Sequence, residues 1–272
     1  MAADQNTPPG SVDLTAYLDR IGWRGGLHPT LETLAGLHLA HTSSIPFENL
    51  DIQLGRGIRL DLASLQAKLV RGRRGGYCFE QNSLFAAVLR ELGFQLTLRE
   101  ARVRRGSSAL LPRTHLTLEV RLEGASWLAD VGFGSDGVPG PVPLDGREQP
   151  RFGGRHRVVP EGTRQVLQTL TAQGWADVYA LEPSEVLACD LEMANHYTST
   201  HPDSRFVQTL TVQRYSATER CFLRNLTFSV VRADGTETRE LAPEDLLPLL
   251  RERFGLDFPP GTRFRALERL QA

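Results

Sequence analysis

Apolar residues recur every three or four positions through the first third of the chain and every second position beyond it. Leu14, Leu18 and Ile21, entered from Ser11 or Asp13 and closed by Gly22, predict a short helix. Leu31, Leu34 and Leu37 predict a second helix, opened by Pro29-Thr30 and running to about His41. Leu62, Leu65 and Leu69 predict a third from about Asp61. A fourth starts at Cys78, carries Leu84, Phe85, Val88, Leu89 and Leu92, and stops at Gly93. Between the second and third lies Ile45-Pro46-Phe47-Glu48-Asn49-Leu50. Its proline forbids helix, so Phe47 is expected to be presented from a loop. The opening stretch, ending in Pro8-Pro9-Gly10, reads as disordered.

From Gln95 the period becomes two. Leu96-Thr97-Leu98, residues 101–104 and residues 115–122 alternate as half-buried strands do, and residues 127–131 follow the turn at Glu123-Gly124. Residues 132–154 are dense in Gly and Pro and are expected to form a long surface loop. Weaker strands are expected at 166–170 and 175–179, then a helix at 183–195 and a polar connection at 197–202. Strands at 206–213, 220–224 and 226–231 precede the hairpin turn Ala233-Asp234-Gly235-Thr236 and a helix entered at Pro243. The chain thus divides into a helical part, 1–93, an antiparallel sheet or barrel, 94–182, and a smaller α/β part, 183–272, with no evident flexible linker.

Composition narrows the partners. The 272 residues carry 31 basic and 32 acidic side chains, net −1, which gives no reason to expect nucleic acid or an anionic membrane. Lys68 is the only lysine, which excludes most Schiff-base chemistry. The N-terminus lacks the basic and apolar regions of a signal peptide, and no window is apolar enough to span a bilayer, so a cytoplasmic location is expected. The three cysteines are widely spaced, odd in number and form no C-x-x-C pair. No metal is expected, at least one thiol is free, and Cys189 and Cys221 read as small core residues.

Cys78 reads differently. It follows Gly75-Gly76, which permit a tight turn and close backbone approach, and it opens the fourth helix. There the positive end of the helix dipole favours an anion, as a nucleophilic thiol requires. Such a thiol needs a base and a group to orient it. Of the seven histidines, His28, His38 and His41 lie on early helices, His156 in the Gly-rich segment, and His196 and His201 beside Tyr197. His115 begins a strand, and the next strand ends at Asp130. A hairpin brings these two together. A surface histidine and a turn-initiating aspartate would show the same spacing, so both readings stand on spacing alone.

Four blocks resemble the arylamine N-acetyltransferases in order and spacing: Ile45-Pro46-Phe47-Glu48-Asn49-Leu50, Arg74-Gly75-Gly76-Tyr77-Cys78-Phe79-Glu80-Gln81-Asn82, Arg113-Thr114-His115-Leu116 and Asp130-Val131-Gly132-Phe133-Gly134. The resemblance continues through Asn195-His196-Tyr197-Thr198-Ser199-Thr200-His201-Pro202 to Phe206; beyond that it is one of general character. It implies an α+β fold of N-terminal helical bundle, central antiparallel β-barrel and C-terminal α/β lid around a cysteine-protease-like Cys-His-Asp core. It places the triad on Cys78, His115 and Asp130. It further implies acetyl transfer from acetyl-CoA, through a thioester on Cys78, to an arylamine, hydrazine or hydroxylamine. The acceptor would lie near Phe47, Val103, Thr114, Phe133 and Phe206, and CoA near Gly132, Gly134, Thr198 and Ser199. The oxyanion would meet backbone N–H groups of Cys78 and of the 131–134 turn. An ion pair among Arg74, Glu80 or Glu48 is expected to pin the cysteine loop. No metal, nucleic acid or membrane is expected to take part, and the oligomeric state stays open. The same triad would suit a cysteine hydrolase, a transglutaminase-like enzyme, or an amide synthase of the same family acting on a carrier-bound polyketide. A non-catalytic binding module would leave Cys78 buried and inert.

Overall fold

The computed structural model describes residues 11–104, 110–134, 137–151, 154–184 and 186–271; the stretch through Pro8-Pro9-Gly10 lies outside them. Helices α1 (Leu14–Ile21) and α2 (Leu31–Ser44) start where their caps predict. Asp13 Oδ1 accepts from Ala16 N–H, and the Thr30 hydroxyl from Thr33 N–H. α2 runs three residues past His41 and stops because Pro46 holds Ile45 in extended backbone. A two-residue strand, β1 (Phe47–Glu48), and one helical turn, α3 (Leu50–Gln53), follow. The third expected helix is a short α4 (Leu62–Leu65) continued by a π-helix (Gln66–Arg71). Next comes α5 (Cys78–Glu91). Its Leu84, Phe85, Val88 and Leu89 are fully buried in a core shared with α1, α2 and the first strands of the sheet.

The central sheet holds β2 (Gln95–Val103), β3 (Arg113–Leu122), β4 (Ala125–Ala129), β5 (Val142–Pro143), β6 (Gln149–Arg151), β7 (Gly154–Glu161), β8 (Arg164–Thr171) and β9 (Gly174–Leu181). The order is β5-β4-β3-β2-β9-β8-β7-β6, antiparallel throughout, and β5 packs on β7 so that the sheet nearly closes as a barrel. Leu128, Val142, Val158, Leu167 and Tyr179 fill it. Of residues 132–154, 132–134 and 137–143 are therefore buried rather than a surface loop, and only the stretch around 144–150 is exposed; 135–136 and 152–153 lie outside the described residues. Val138 and Val142 are buried, and the Gly and Pro residues make turns that fold the segment back onto β4. β7 was not anticipated.

The lid sheet runs β1-β10-β11-β12-β13, with β10 (Thr211–Tyr215), β11 (Glu219–Arg224), β12 (Thr227–Arg232) and β13 (Gly235–Glu240), all antiparallel. Phe47 thus belongs to a strand edge, paired with Gln213, rather than to a free loop; two residues leave no alternation to read. Leu50 enters the lid core with Leu246, Leu250, Phe254 and Phe264, which come from α8 (Leu246–Phe254) and the entry to α9 (Arg265–Gln271). The helix expected at 183–195 is α6 (Ala188–Thr200), which consumes most of the expected polar connection. The hydroxyls of Thr198, Ser199 and Thr200 each bond the carbonyl four residues back, so these polar residues are satisfied within the helix and do not break it. Ser204 then caps a single turn, α7 (Arg205–Gln208), where a strand was expected.

Candidate active site

The chain approaches Cys78 through glycines for steric reasons. A Cβ on Gly75 would lie 2.0 Å from the Pro46 carbonyl oxygen, so only glycine lets this loop run beside the segment before β1. Cys78 is the first residue of α5 and is 3 % exposed, with Sγ 3.7 Å from the Thr114 carbonyl oxygen on β3. Across the helix terminus, Glu80 Oε2 accepts from Tyr77 N–H at 3.1 Å.

β3 and β4 pair with Leu118 opposite Ala129. Continuing that register sets Asp130 opposite Thr117, one pleat from His115 on the same face. His115 Nε2 donates to Asp130 Oδ2 at 2.7 Å, and the neighbouring Cys78 thiol is one of the groups that favour a proton on the ring. The four acceptor positions of Asp130 are all used. Oδ2 also accepts from Tyr179 O–H at 2.8 Å, and Oδ1 from Asn82 Nδ2 at 2.9 Å and Gly132 N–H at 3.0 Å. Its own N–H donates to His38 Nε2. Burial opposes a charged imidazole, but the Asp130 carboxylate, the bond to it and the thiol outweigh burial and push His115 up to about 10. Burial likewise opposes ionised Asp130, yet His115, Asn82 and Gly132 hold its carboxyl below the usual range.

Asn82 ties the two halves together. It is one helical turn after Cys78, donates also to the Leu116 carbonyl, and accepts from Val131 N–H. Beside it, a Cβ on Gly132 would meet Cys78 Cα at 2.8 Å, so glycine lets the strand end lie directly against the Cys78 backbone. Neither Asn82 nor Tyr179 was read as functional from sequence. The signal for Asn82 is its spacing of four from Cys78, which sets both on one helix face. Tyr179 sits 49 residues from Asp130 in the chain and has no local signal.

The ion pair expected among Arg74, Glu80 or Glu48 forms between Arg74 and Glu48. Arg74 pairs with Glu48 Oε1 at 2.7 Å and Asp51 Oδ1 at 3.2 Å, and lies over the Phe258 ring of the lid. Glu80 pairs instead with Lys68, Nζ to Oε1 at 2.7 Å, and Lys68 also reaches Asp51 Oδ2 at 2.8 Å. Burial pushes Glu80 up to about 7 although Lys68 favours its charged form.

A cavity of about 250 Å³ opens over the thiol. Its walls include all five expected acceptor contacts, Phe47, Val103, Thr114, Phe133 and Phe206, together with Cys78, His115 and Gly132. Phe133 stands edge-on to His115, ring centroids 4.9 Å apart, and Phe206 packs on Phe47 and Tyr77. Leu111, Arg104 and Arg205 complete the lining and were not foreseen. Gly134 lies outside this cavity, against the Phe47 ring and a narrow cleft behind it. Thr198 and Ser199 do not line it either. Thr198 is buried, and both hydroxyls are bonded within α6. Cys189 is exposed rather than in the core, while Cys221 is buried beside Arg253. Among the described residues no cluster of side chains could hold a metal ion, and no helix is long and apolar enough to cross a membrane.

Comparison with known proteins agrees with this geometry. A family model described as N-acetyltransferase matches residues 30–262. The chain is 40 % identical over 248 residues to an arylamine N-acetyltransferase of Escherichia coli K12, covering 89 % of this chain and 88 % of that protein. It is 36 % identical to the Salmonella typhimurium arylamine N-acetyltransferase / N-hydroxyarylamine O-acetyltransferase, with the same coverage. Among solved structures it is similar to Mycobacterium marinum arylamine N-acetyltransferase in complex with CoA, with TM-score 0.85, 35 % identity, and coverage of 89 % of this chain and 92 % of that one.

Proposed function

The chain belongs to the arylamine N-acetyltransferase family, and from that premise we propose how Cys78, His115 and Asp130 divide the work of moving an acetyl group from acetyl-CoA to an aromatic amine. At rest, His115 holds the proton of Cys78, giving a thiolate–imidazolium pair that Asp130 stabilises without being protonated itself. The thiolate attacks the thioester carbonyl. The oxyanion meets the N–H of Cys78 at the start of α5; within the 131–134 turn, the N–H groups of Val131 and Gly132 are already donated, to Asn82 and Asp130. As the tetrahedral species collapses, His115 returns its proton to the departing CoA sulfur. An arylamine, hydrazine or hydroxylamine then attacks acetyl-Cys78 through its nitrogen or, for an N-hydroxyarylamine, its oxygen; His115 removes a proton from the attacking atom, and the Cys78 thiolate leaves, which restores the pair.

The observation that carries this reading is the 2.7 Å His115–Asp130 bond beside a thiol at an apolar cavity. Acetyl-CoA as co-substrate is supported by the CoA complex of the M. marinum relative, and the hydroxylamine acceptors by the name of the Salmonella one. We place CoA along Gly132 and the cavity entrance, not on the hydroxyls of Thr198 and Ser199. The free thiols suit the reducing cytoplasm. The relatives favour amine acetylation over hydrolysis and over macrolactam formation. Intact-mass spectrometry tests this. Acetyl-CoA alone is expected to leave one hydroxylamine-labile acetyl on the wild-type chain and none on Cys78→Ala, and adding an arylamine is expected to discharge it faster than water does. Acetylated amine produced equally by Cys78→Ala would sink the mechanism.

A further inference from the structure

The cavity over Cys78 is walled by Phe47, Val103, Leu111, Phe133 and Phe206, but two arginines also line it, and they differ. Arg104 is committed: its guanidinium pairs with Glu161 and, at 2.9 Å, with Asp177. Arg205 is not. No ion pair or side-chain hydrogen bond joins its guanidinium to any described residue, and it is half-buried. Its backbone, by contrast, is held firmly. Ser204 Oγ donates to the Thr198 carbonyl and accepts from Phe206 N–H. The Phe206 carbonyl takes 2.7 Å bonds from both Asn49 Nδ2 and Gln53 Nε2, and Asn49 also bonds Thr209. A fixed backbone carrying an uncommitted planar cation beside an aromatic-lined cavity is arranged for a ligand, because a guanidinium is a bidentate partner for a carboxylate.

We propose that Arg205 selects the acceptor: this chain favours arylamines bearing a carboxylate on the ring, held by Arg205 while the ring lies among Phe47, Phe133 and Phe206 and the amine faces Cys78. This rests on the transferase reading above. A cavity of about 250 Å³ is at the small end for ligand sites and suits a single ring rather than a fused system. CoA phosphates are the other anions in the reaction, but they sit at the far end of a long pantetheine arm whose thioester must reach Cys78, whereas a ring substituent is only one ring away from the reacting amine.

The test compares kcat/KM for 3- and 4-aminobenzoate with that for their methyl esters, in the wild type, Arg205→Gln and Arg205→Lys. Dividing the acid-to-ester ratio of the wild type by that of each variant cancels the electronic effect of esterification. For at least one isomer the ratio is expected to fall about tenfold in Arg205→Gln, the scale of one lost charge-assisted bond, and less in Arg205→Lys. Formation of acetyl-Cys78 without acceptor is followed separately by intact mass. A ratio that stays the same in Arg205→Gln overturns the proposal, as does slower acylation with an unchanged ratio, which would assign Arg205 to the acyl donor. If even the wild type fails to acylate, the transferase reading itself fails.

Discussion

His115 and His41 are both fully enclosed, and both are positioned by neighbouring residues of α5, yet they are driven in opposite directions. His41 accepts from Tyr17 O–H at Nδ1 and donates from Nε2 to Gln81 Oε1 at 2.6 Å. Burial dominates there, the Gln81 amide compensates little, His38 and Arg20 add repulsion, and the ring is pushed down to about 3. One position along the helix, Asn82 holds Asp130 against His115, which is pushed up to about 10. The lesson is that enclosure does not make a general base. Replacing an amide by a carboxylate across the ring turns a structural, neutral histidine into one that keeps its proton at physiological pH.

The strongest way to break this contrast is Asp130→Asn, which gives His115 the kind of partner His41 has. The imidazolium should no longer persist at rest, and kcat/KM should fall by about 10³–10⁴, with a parallel loss of rapid iodoacetamide alkylation at pH 7. Undiminished alkylation would show that the carboxylate is not what charges the pair.

The second test is stability against pH. In the unfolded chain a histidine binds a proton near pH 6.5, while folded His41 resists until about 3. Its contribution is therefore present above 6.5 and lost as pH falls below it, at about 1.4 kcal/mol per pH unit. His115 has the opposite sign. The folded state keeps its proton up to about 10, so its contribution is complete below 6.5 and fades between 6.5 and 10. Urea unfolding of the wild type and His41→Gln between pH 6.5 and 5 should show a shallower slope in the variant; equal slopes would refute the role given to His41.

The smallest effect is expected from Tyr179→Phe, which removes one of four bonds to Asp130 and leaves its charge. A loss of about tenfold in kcat/KM with little change in KM would mark Tyr179 as a positioning residue. A loss matching Asp130→Asn would mean that the hydroxyl does more than orient.

Much of this was legible in the chain because the relevant signals are local. The switch of period near Gln95 separates bundle from barrel, and a hairpin with a two-residue turn brings His115 and Asp130 together within fifteen residues. What failed was long-range or covered by an ambiguous local cue. Gly and Pro in 132–154 mark turns truly, but only the barrel decides whether those turns face water or Val158 and Leu167. Thr198-Ser199-Thr200 looks like a connection until its hydroxyls are seen bonding back along the helix. The pairing of β1 with β10 joins residues more than 160 positions apart through two residues of strand, and Tyr179 reaches Asp130 across the barrel interior.

The burial of Lys68 has a consequence outside folding. The chain's one side-chain primary amine is 17 % exposed and clasped by Asp51 and Glu80, which hold it protonated and without a lone pair. A member of an acetyltransferase family thus presents no competent lysine to an activated acetyl group. Turnover should therefore leave no stable amide scar on Lys68.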